Sequence, residues 1–400
     1  MRRVPSPPNR GGASVPLHDV VILGGGPAGV AAALALKQVE SGLRVLLVEA
    51  EPEIGWRIGE TLVPGTRQIL QTLGCWDAVI RAGVEESFQS IAAWGDSRPH
   101  QNEFVFSMRG NAAHVDRARF NDALRAVAEA ADVVVWRPAR FQAAERRKDG
   151  RWYLTLSRHD ELRVVLADAV VDATGRHAGF AATQGSRPRF ADRLVGVAGL
   201  IEPGPGARPR DCSMLVEARE AGWWYSSPIP GGRLVLVWMS DADLIHQAGL
   251  ARPERWLAHL RAAPLIRRRT FERTMPDKLI TWPARSCCLD SVCGPGWVAV
   301  GDAASVWDPL SSAGILKALR TGKLGAFAIL DLLSGKADGM AKYRRCIEAD
   351  YAHYQRHRQQ IYRLEQRWRR SPFWQRRDGS DSTPAMQENP TVNLTADLPD

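Results

Sequence analysis

Some stretches of this chain are apolar at every position, while in others the apolar residues recur at helical spacing. The order of those stretches predicts the architecture. Residues 20–23 are a continuous apolar run after Asp19, as in a parallel strand buried on both faces. A glycine turn follows, and the Ala/Leu-rich segment from Pro27 reads as a helix until residues 41–44 break it. Residues 44–49 then form a second strand ending at Glu49. Residues 59–84 have helical character, 88–106 mix short strand-like runs, and 116–131 form another helix with Asp116 as its cap and Arg117 in its first turn.

Two more strands, 152–158 and 162–174, run up to Gly175. Residues 188–285 are rich in β pattern, with a hairpin turn at 230–232 and short helices or loops at 252–262 and 263–271. The strand 296–300 enters another glycine turn and another helix. A last helical stretch, 339–370, stops before Ser371 and Pro372, because proline restricts the residue ahead of it.

The pattern predicts an α/β chain. A discontinuous Rossmann-like nucleotide-binding domain takes residues 18–87, 112–187 and 286–338. A β-sheet substrate domain is inserted as 88–111 and 188–285, and a C-terminal basic helical segment spans 339–377. Residues 1–17 and 378–400 are short of large apolar groups and are expected to be disordered.

Composition narrows the function classes. In 400 residues, 45% apolar and 24% charged, a sizeable core is available. Fourteen tryptophans suggest an aromatic-lined cavity as well as core. The formal charge of +9 is concentrated: residues 342–377 hold eleven Lys/Arg against three acidic residues, whereas 378–400 carry five acidic residues and no basic one. No aromatic–basic interleaving accompanies it, so nucleic acid is not an expected partner. Six cysteines (Cys75, Cys212, Cys287, Cys288, Cys293, Cys346) lack paired metal spacing and are read as free thiols, with no metal site. No apolar run reaches 18 residues, so no membrane span is expected, and a reducing cytoplasm is the natural compartment.

The chemistry-bearing pattern is Gly24, Gly26 and Gly29 directly after a buried strand, with Pro27 and Ala28 opening the helix. The first glycine permits the tight turn, the second lets backbone approach a diphosphate, and the third allows close helix–strand packing. Glu49, 25 residues after Gly24, accepts hydrogen bonds from a ribose. Gly301 and Asp302 follow the strand 296–300. Asp302 suits a ribityl hydroxyl, and the helix start around Pro309, Ser312, Ala313 and Gly314 suits the electron-rich edge of a reduced flavin.

Residues 24–29, GlyGluThrLeuValPro at 59–64, AspAlaThrGly at 172–175, and the run 301–315 together resemble the flavoprotein monooxygenases. The resemblance is to the branch holding the flavin-dependent tryptophan halogenases and the flavoproteins that mature tryptophylquinone cofactors, and it covers about residues 18–377. It implies FAD as cofactor, reduced by NAD(P)H directly or through a partner flavin reductase, and FAD contacts from Arg57 and Arg117. It implies aromatic hydroxylation through a flavin C4a-hydroperoxide, on an indole ring.

Where the halogenases carry a tunnel lysine, this chain has Gln89. Their W-x-W-x-I-P signature is met only as Trp223-Trp224-Tyr225-Ser226-Ser227-Pro228. Trp223, Trp224 and Tyr225 form the expected wall for an aromatic substrate, with plain sheet core as the other reading. His114, Glu60 and Asp96 are the candidate acid–base residues, each with an ordinary structural role as its alternative. The Arg/Trp/Phe-rich end, 365–377, resembles the maturation flavoproteins and points to a peptidyl tryptophan in a protein partner. Its other reading is a tail folded back on its own domain. A small-molecule aromatic hydroxylase, a halogenase and an isoprenoid-reductase-like flavoenzyme remain as alternatives.

Overall fold

The computed structural model describes residues 15–51, 58–104, 107–204 and 211–378. The apolar run near the N-terminus forms the strand Leu17–Leu23, fully buried from Val20 onward. It lies between Glu161–Asp172 and Val45–Val48, parallel to both. Trp297–Ala299 and Val134–Trp136 extend the parallel core on either side. The strand starts inside the stretch expected to be loose: Leu17 pairs with Leu166, and the Leu166 amide donates to the Pro16 carbonyl.

Helix Pro27–Val39 covers this sheet with ten consecutive buried residues, Pro27 to Leu36. Helix Gly314–Leu333 packs directly on it. A side chain at Gly322 would put its Cβ 2.2 Å from the Ala28 carbonyl oxygen, so glycine is what lets the two helix backbones meet. Burying each Leu or Val of this core contributes about 1.5–3 kcal/mol relative to exposure.

The second layer is a seven-stranded sheet in the order Ile280–Pro283, Leu194–Ile201, Leu234–Asp241, Gly222–Pro228, Met214–Arg219, Gln89–Ala93, His100–Glu103. Only the Met214–Gln89 neighbours run parallel. One face carries Trp223, Tyr225, Val237 and Met239 against Leu310 and the C-terminal residues Tyr362, Phe373 and Trp374. The other carries Trp224, Leu234, Leu236 and Trp238 under the short helices Pro253–Arg261 and Pro264–Arg269.

Two local expectations change. Residues 59–84 are not one helical stretch, but a two-residue strand at Thr61–Leu62 and two seven-residue helices, Thr66–Thr72 and Trp76–Ala82. Gly65 and Gly74, both at positive φ, punctuate them. The long C-terminal helix runs Gly339–Leu364, and a separate helix starts at Pro372, where a proline is tolerated because the first-turn amide needs no partner. Phe373 and Trp374 are buried in the sheet core, so those two serve packing within this chain rather than an exposed docking face.

Candidate functional site

The two glycine turns lie side by side. Gly24, at φ +115°, abuts Ala173, whose carbonyl oxygen would be 2.1 Å from any Cβ placed there. Ala173 is held by its neighbour Asp172, whose buried carboxylate accepts from the Thr174 amide at 3.0 Å, the Thr174 hydroxyl at 2.6 Å and the Ala181 amide at 2.7 Å. The AspAlaThrGly motif therefore shapes the turn that backs the first glycine. Gly29 sits against the Gly24 carbonyl, and Gly301 against Ala28.

Gly26 differs, because a Cβ there would meet nothing within 4 Å. It is also the uncapped N-terminus of the Pro27 helix, which has no acidic residue in its first turn. Free amides, the positive helix end and open space make a cradle for a diphosphate. Glu49 stands beside it, its Oε2 accepting from the Gly25 amide at 2.7 Å. The start of helix Gly314–Leu333 is a second uncapped N-terminus. Pro309 and Ser312 are partly exposed there, Gly314 is exposed, and Ala313 is buried. These features fit FAD.

Asp302 is not a free carboxylate. Lys317 Nζ lies 2.7 Å from its Oδ1 and Arg176 Nε 3.4 Å from its Oδ2. These two cations hold its titration at about 2 against the opposing effect of burial. Lys317 is buried on the apolar side of its helix and also donates to the Ser305 carbonyl. Its position among Ile315, Ala318 and Leu319 was the available sequence signal: a lysine on a buried face needs a partner.

Of the expected FAD-contacting arginines, Arg57 lies outside the described residues. Arg117 Nη1 donates to the Gly59 carbonyl at 2.9 Å and its Nε to Asn121 at 3.2 Å. Sequence reading missed Arg125, buried, whose Nη1 donates to the Gly25 carbonyl at 3.2 Å.

Next to Arg117 the strand Thr61–Leu62 pairs with Ala112–Val115, and this brings Glu60 and His114 into one buried network. His114 Nε2 donates to the Cys212 carbonyl at 2.9 Å, which fixes the neutral tautomer. Its Nδ1 then accepts from the Thr61 or the Ser227 hydroxyl, at 3.2 and 3.0 Å. Thr61 also bonds the Tyr225 hydroxyl at 3.0 Å. Burial lowers His114 to about 4 and raises Glu60 to about 7. Glu60 Oε2 accepts from the Gly59 amide, whereas Oε1 has no partner of normal geometry; the Tyr225 hydroxyl and Arg117 both favour its ionised form. Thr61 and Ser227 are functional candidates that no sequence signal marked, since their meeting depends on the packing of two sheets.

The remaining candidates are corrected. Asp96 is exposed and caps a turn, accepting from the Arg98 amide at 2.8 Å, so it does not belong to the site. Trp223, Trp224 and Tyr225 do not form one wall. Alternation along a strand sends Trp224 to the opposite face, against Trp238 and Trp256. Trp223 is core as well, its indole donating to the Tyr362 hydroxyl at 3.1 Å. Only Tyr225 reaches the buried network.

Asp308, also unmarked in the sequence, ties the site to the C-terminal helix. Buried Asp308 accepts from Arg358 at 3.1 Å and from the Tyr362 hydroxyl at 2.8 Å, and its Oδ1 caps the Leu310 amide at 2.9 Å. The loop leading to Gly314 is thereby fixed against helix Gly339–Leu364.

Comparison with known proteins agrees with this geometry. The family model of FAD dependent oxidoreductases matches residues 19–190. LodB of Marinomonas mediterranea, named as an FAD-dependent oxidoreductase, is 30% identical over 90% of this chain and 96% of its own length. Among solved structures, the myxobacterial chondrochloren halogenase CndH superposes with a TM-score of 0.82 at 25% identity, covering 90% of this chain and 86% of that one. QhpG, a peptidyl tryptophan dihydroxylase essential for tryptophylquinone cofactor biogenesis, superposes at 0.75 and 25% identity, covering 93% and 81%. Further relatives at 24–27% identity are halogenases, of whose length the chain spans 65–69%.

Proposed function

The chain belongs to the FAD-dependent oxidoreductases, and from that premise we propose that it is a monooxygenase that hydroxylates the indole ring of a peptidyl tryptophan in a protein partner. The observation that carries the reading is the buried network joining Glu60, Tyr225, Thr61, His114 and Ser227. It links a carboxyl that exchanges its proton near neutral pH, through Tyr225 and Thr61, to a neutral imidazole, with no lysine among them. At the position of the halogenase lysine stands Gln89, whose amide donates to the Ser213 hydroxyl at 3.0 Å. The similarity to QhpG supports an indole substrate, and the similarity to CndH supports halogenation as the competing outcome.

Gly24, Gly26 and the Pro27 helix end would hold the FAD diphosphate, Glu49 the adenosine ribose, and Asp302 with the Gly314 helix end the flavin half. Bound and reduced, FAD supplies activation of O2, so that one oxygen atom reaches the ring and the other leaves as water. The reducing equivalents come from NAD(P)H, directly or through a partner reductase. Around that chemistry the residues do ordinary work. Lys317 and Arg176 keep Asp302 ionised and aimed. The Cys212 carbonyl keeps the proton of His114 on Nε2. Glu60 Oε1, buried and without a hydrogen-bond partner of normal geometry, would take up the proton released as the ring regains aromaticity.

The test is incubation of the FAD-loaded protein with a tryptophan-containing peptide, a flavin reductant, isotopically heavy O2 and bromide. Mass spectrometry is expected to show heavy oxygen in the indole. Bromide in the ring would establish the halogenase reading, and an unmodified peptide would remove both.

A further inference from the structure

Behind the buried network the described residues enclose an open cavity of about 1080 Å³ on the helix-covered face of the seven-stranded sheet. Five arginines line it, Arg233, Arg267, Arg268, Arg269 and Arg273, against two carboxylates, Asp211 and Glu272. The floor is apolar, with Leu215 and Leu234, and Phe271 stands at the rim with 74% of its surface exposed. A basic cluster in the last turn of helix Pro264–Arg269 is favoured by the helix dipole. That reason covers three of the five arginines and leaves the apolar floor unexplained.

The arginines divide into two kinds. Arg233 is anchored to Asp116 at 2.7 Å, and Arg273 donates to the Gly232 carbonyl at 2.8 Å. Arg269 donates to the carbonyls of Asp211 and Ser213, the two residues flanking Cys212, and its Nη1 is buried without a hydrogen-bond partner. Arg267 and Arg268 are exposed, with neither an ion pair nor a side-chain hydrogen bond among the described residues. Arg267, Arg268 and Arg269 are consecutive on one helix, so their side chains leave it about 100° apart and do not converge on one point. An extended anionic ligand with apolar side chains satisfies that distribution, and a single small anion does not.

The cavity also adjoins the candidate site through the backbone. Pro228 lines it and follows Ser227, and Asp211 lines it and precedes Cys212, whose carbonyl holds His114. We propose that this cavity docks an acidic, partly apolar polypeptide segment of the protein that carries the oxidised aromatic residue. The inference rests on the peptidyl reading of the reaction. Carboxylates of the segment pair with Arg267 and Arg268, and its apolar residues cover Phe271, Leu215 and Leu234. The apolar floor favours a polypeptide, which carries apolar side chains to cover Leu215 and Leu234, over a nucleic acid, whose binding is dominated by its phosphates.

Binding to the purified full-length protein tests this by fluorescence anisotropy, with a fluorescein-labelled peptide of glutamate and leucine around one tryptophan. The counterpart in which lysine replaces glutamate is the control. The acidic peptide is expected to bind with an affinity that falls as salt rises, and to lose about tenfold or more with Arg267→Glu plus Arg268→Glu, while Arg267→Lys plus Arg268→Lys keeps most of it. Both positions are exposed on a short helix, and an unchanged melting curve confirms the fold. Equal binding of the lysine peptide, an affinity indifferent to charge reversal, or displacement of the peptide by an equally charged single-stranded oligonucleotide at the same concentration overturns the proposal. Its failure is separable from that of the function. A protein that binds the acidic peptide yet leaves its indole unoxidised removes the hydroxylase reading alone. Turnover of the same peptide with an unchanged KM in the charge-reversed variant removes the docking site alone.

Discussion

Gly301 rests so closely on Ala28 that a Cβ at position 301 would come within 2.7 Å of the Ala28 methyl. The contact joins two turns more than 270 residues apart in the chain, and puts Asp302 beside the helix that starts at Gly26. Both ends of a dinucleotide can then be held by one rigid pair of helices.

The cradle at Gly26 can be filled without backbone strain, since its φ is −78° and the space beside it is open. Gly26→Asp is expected to fold with an unchanged melting temperature and to purify without the visible flavin absorbance. A yellow Gly26→Asp protein would place the diphosphate elsewhere.

Glu60 and His114 titrate in opposite directions. Glu60 rises from its ordinary 4.5 to about 7, so its stabilising contribution is complete below 4.5 and is lost as pH climbs through about 7. His114 falls from 6.5 to about 4, so its contribution is complete above 6.5 and is lost as pH drops through about 4. The His114 effect is shared by wild type and Glu60→Gln and cancels in their difference. Urea unfolding of the flavin-free proteins should therefore show the Gln variant gaining on wild type by roughly 3 kcal/mol between acid pH and about pH 8. A difference that stays constant with pH would show that folding leaves the Glu60 pKa where it is in the unfolded chain.

The same two groups separate in the rate profile. A kinetic inflection near neutral pH is expected to vanish in Glu60→Gln and to persist in His114→Gln, because the histidine is already neutral there. The reverse assignment would move the acid–base role to the imidazole.

Lys317→Met keeps the shape of the side chain and removes the ammonium. Asp302 retains Arg176, but the Ser305 carbonyl loses its donor. The expected cost is about 1–3 kcal/mol, with weaker retention of flavin on gel filtration. Unchanged stability would mean that Arg176 alone carries Asp302.

The adjacent tryptophans Trp223 and Trp224 differ in what their indole N–H groups meet. Trp223→Phe breaks the bond to the Tyr362 hydroxyl and should cost about 1–2 kcal/mol beyond the lost volume. Trp224→Phe removes a buried indole N–H that has no acceptor and should cost less. Calorimetric melting of both variants decides it.

Most of the cofactor half is legible in the sequence. A buried strand, a glycine turn, a helix and an acidic strand end lie within about thirty residues, and their conformation follows from local propensity and period. The alternation that separates Trp223 from Trp224 was legible too, for adjacent strand residues always face opposite sides. Reading the three aromatics as one wall overlooked it. Asp96 could not be excluded by pattern, because its exposure is set by how its turn sits against the rest of the fold.

Tertiary structure alone decided the buried network around His114, the pairing of Asp302 and the arginine cavity. Thr61 meets His114 across 53 residues of sequence and Ser227 across 166. No periodicity encodes a hydrogen bond between two sheets. The chain specifies which faces are apolar, and the packing of those faces then determines which few polar atoms are buried together, where the loss of water sets both their partners and their protonation.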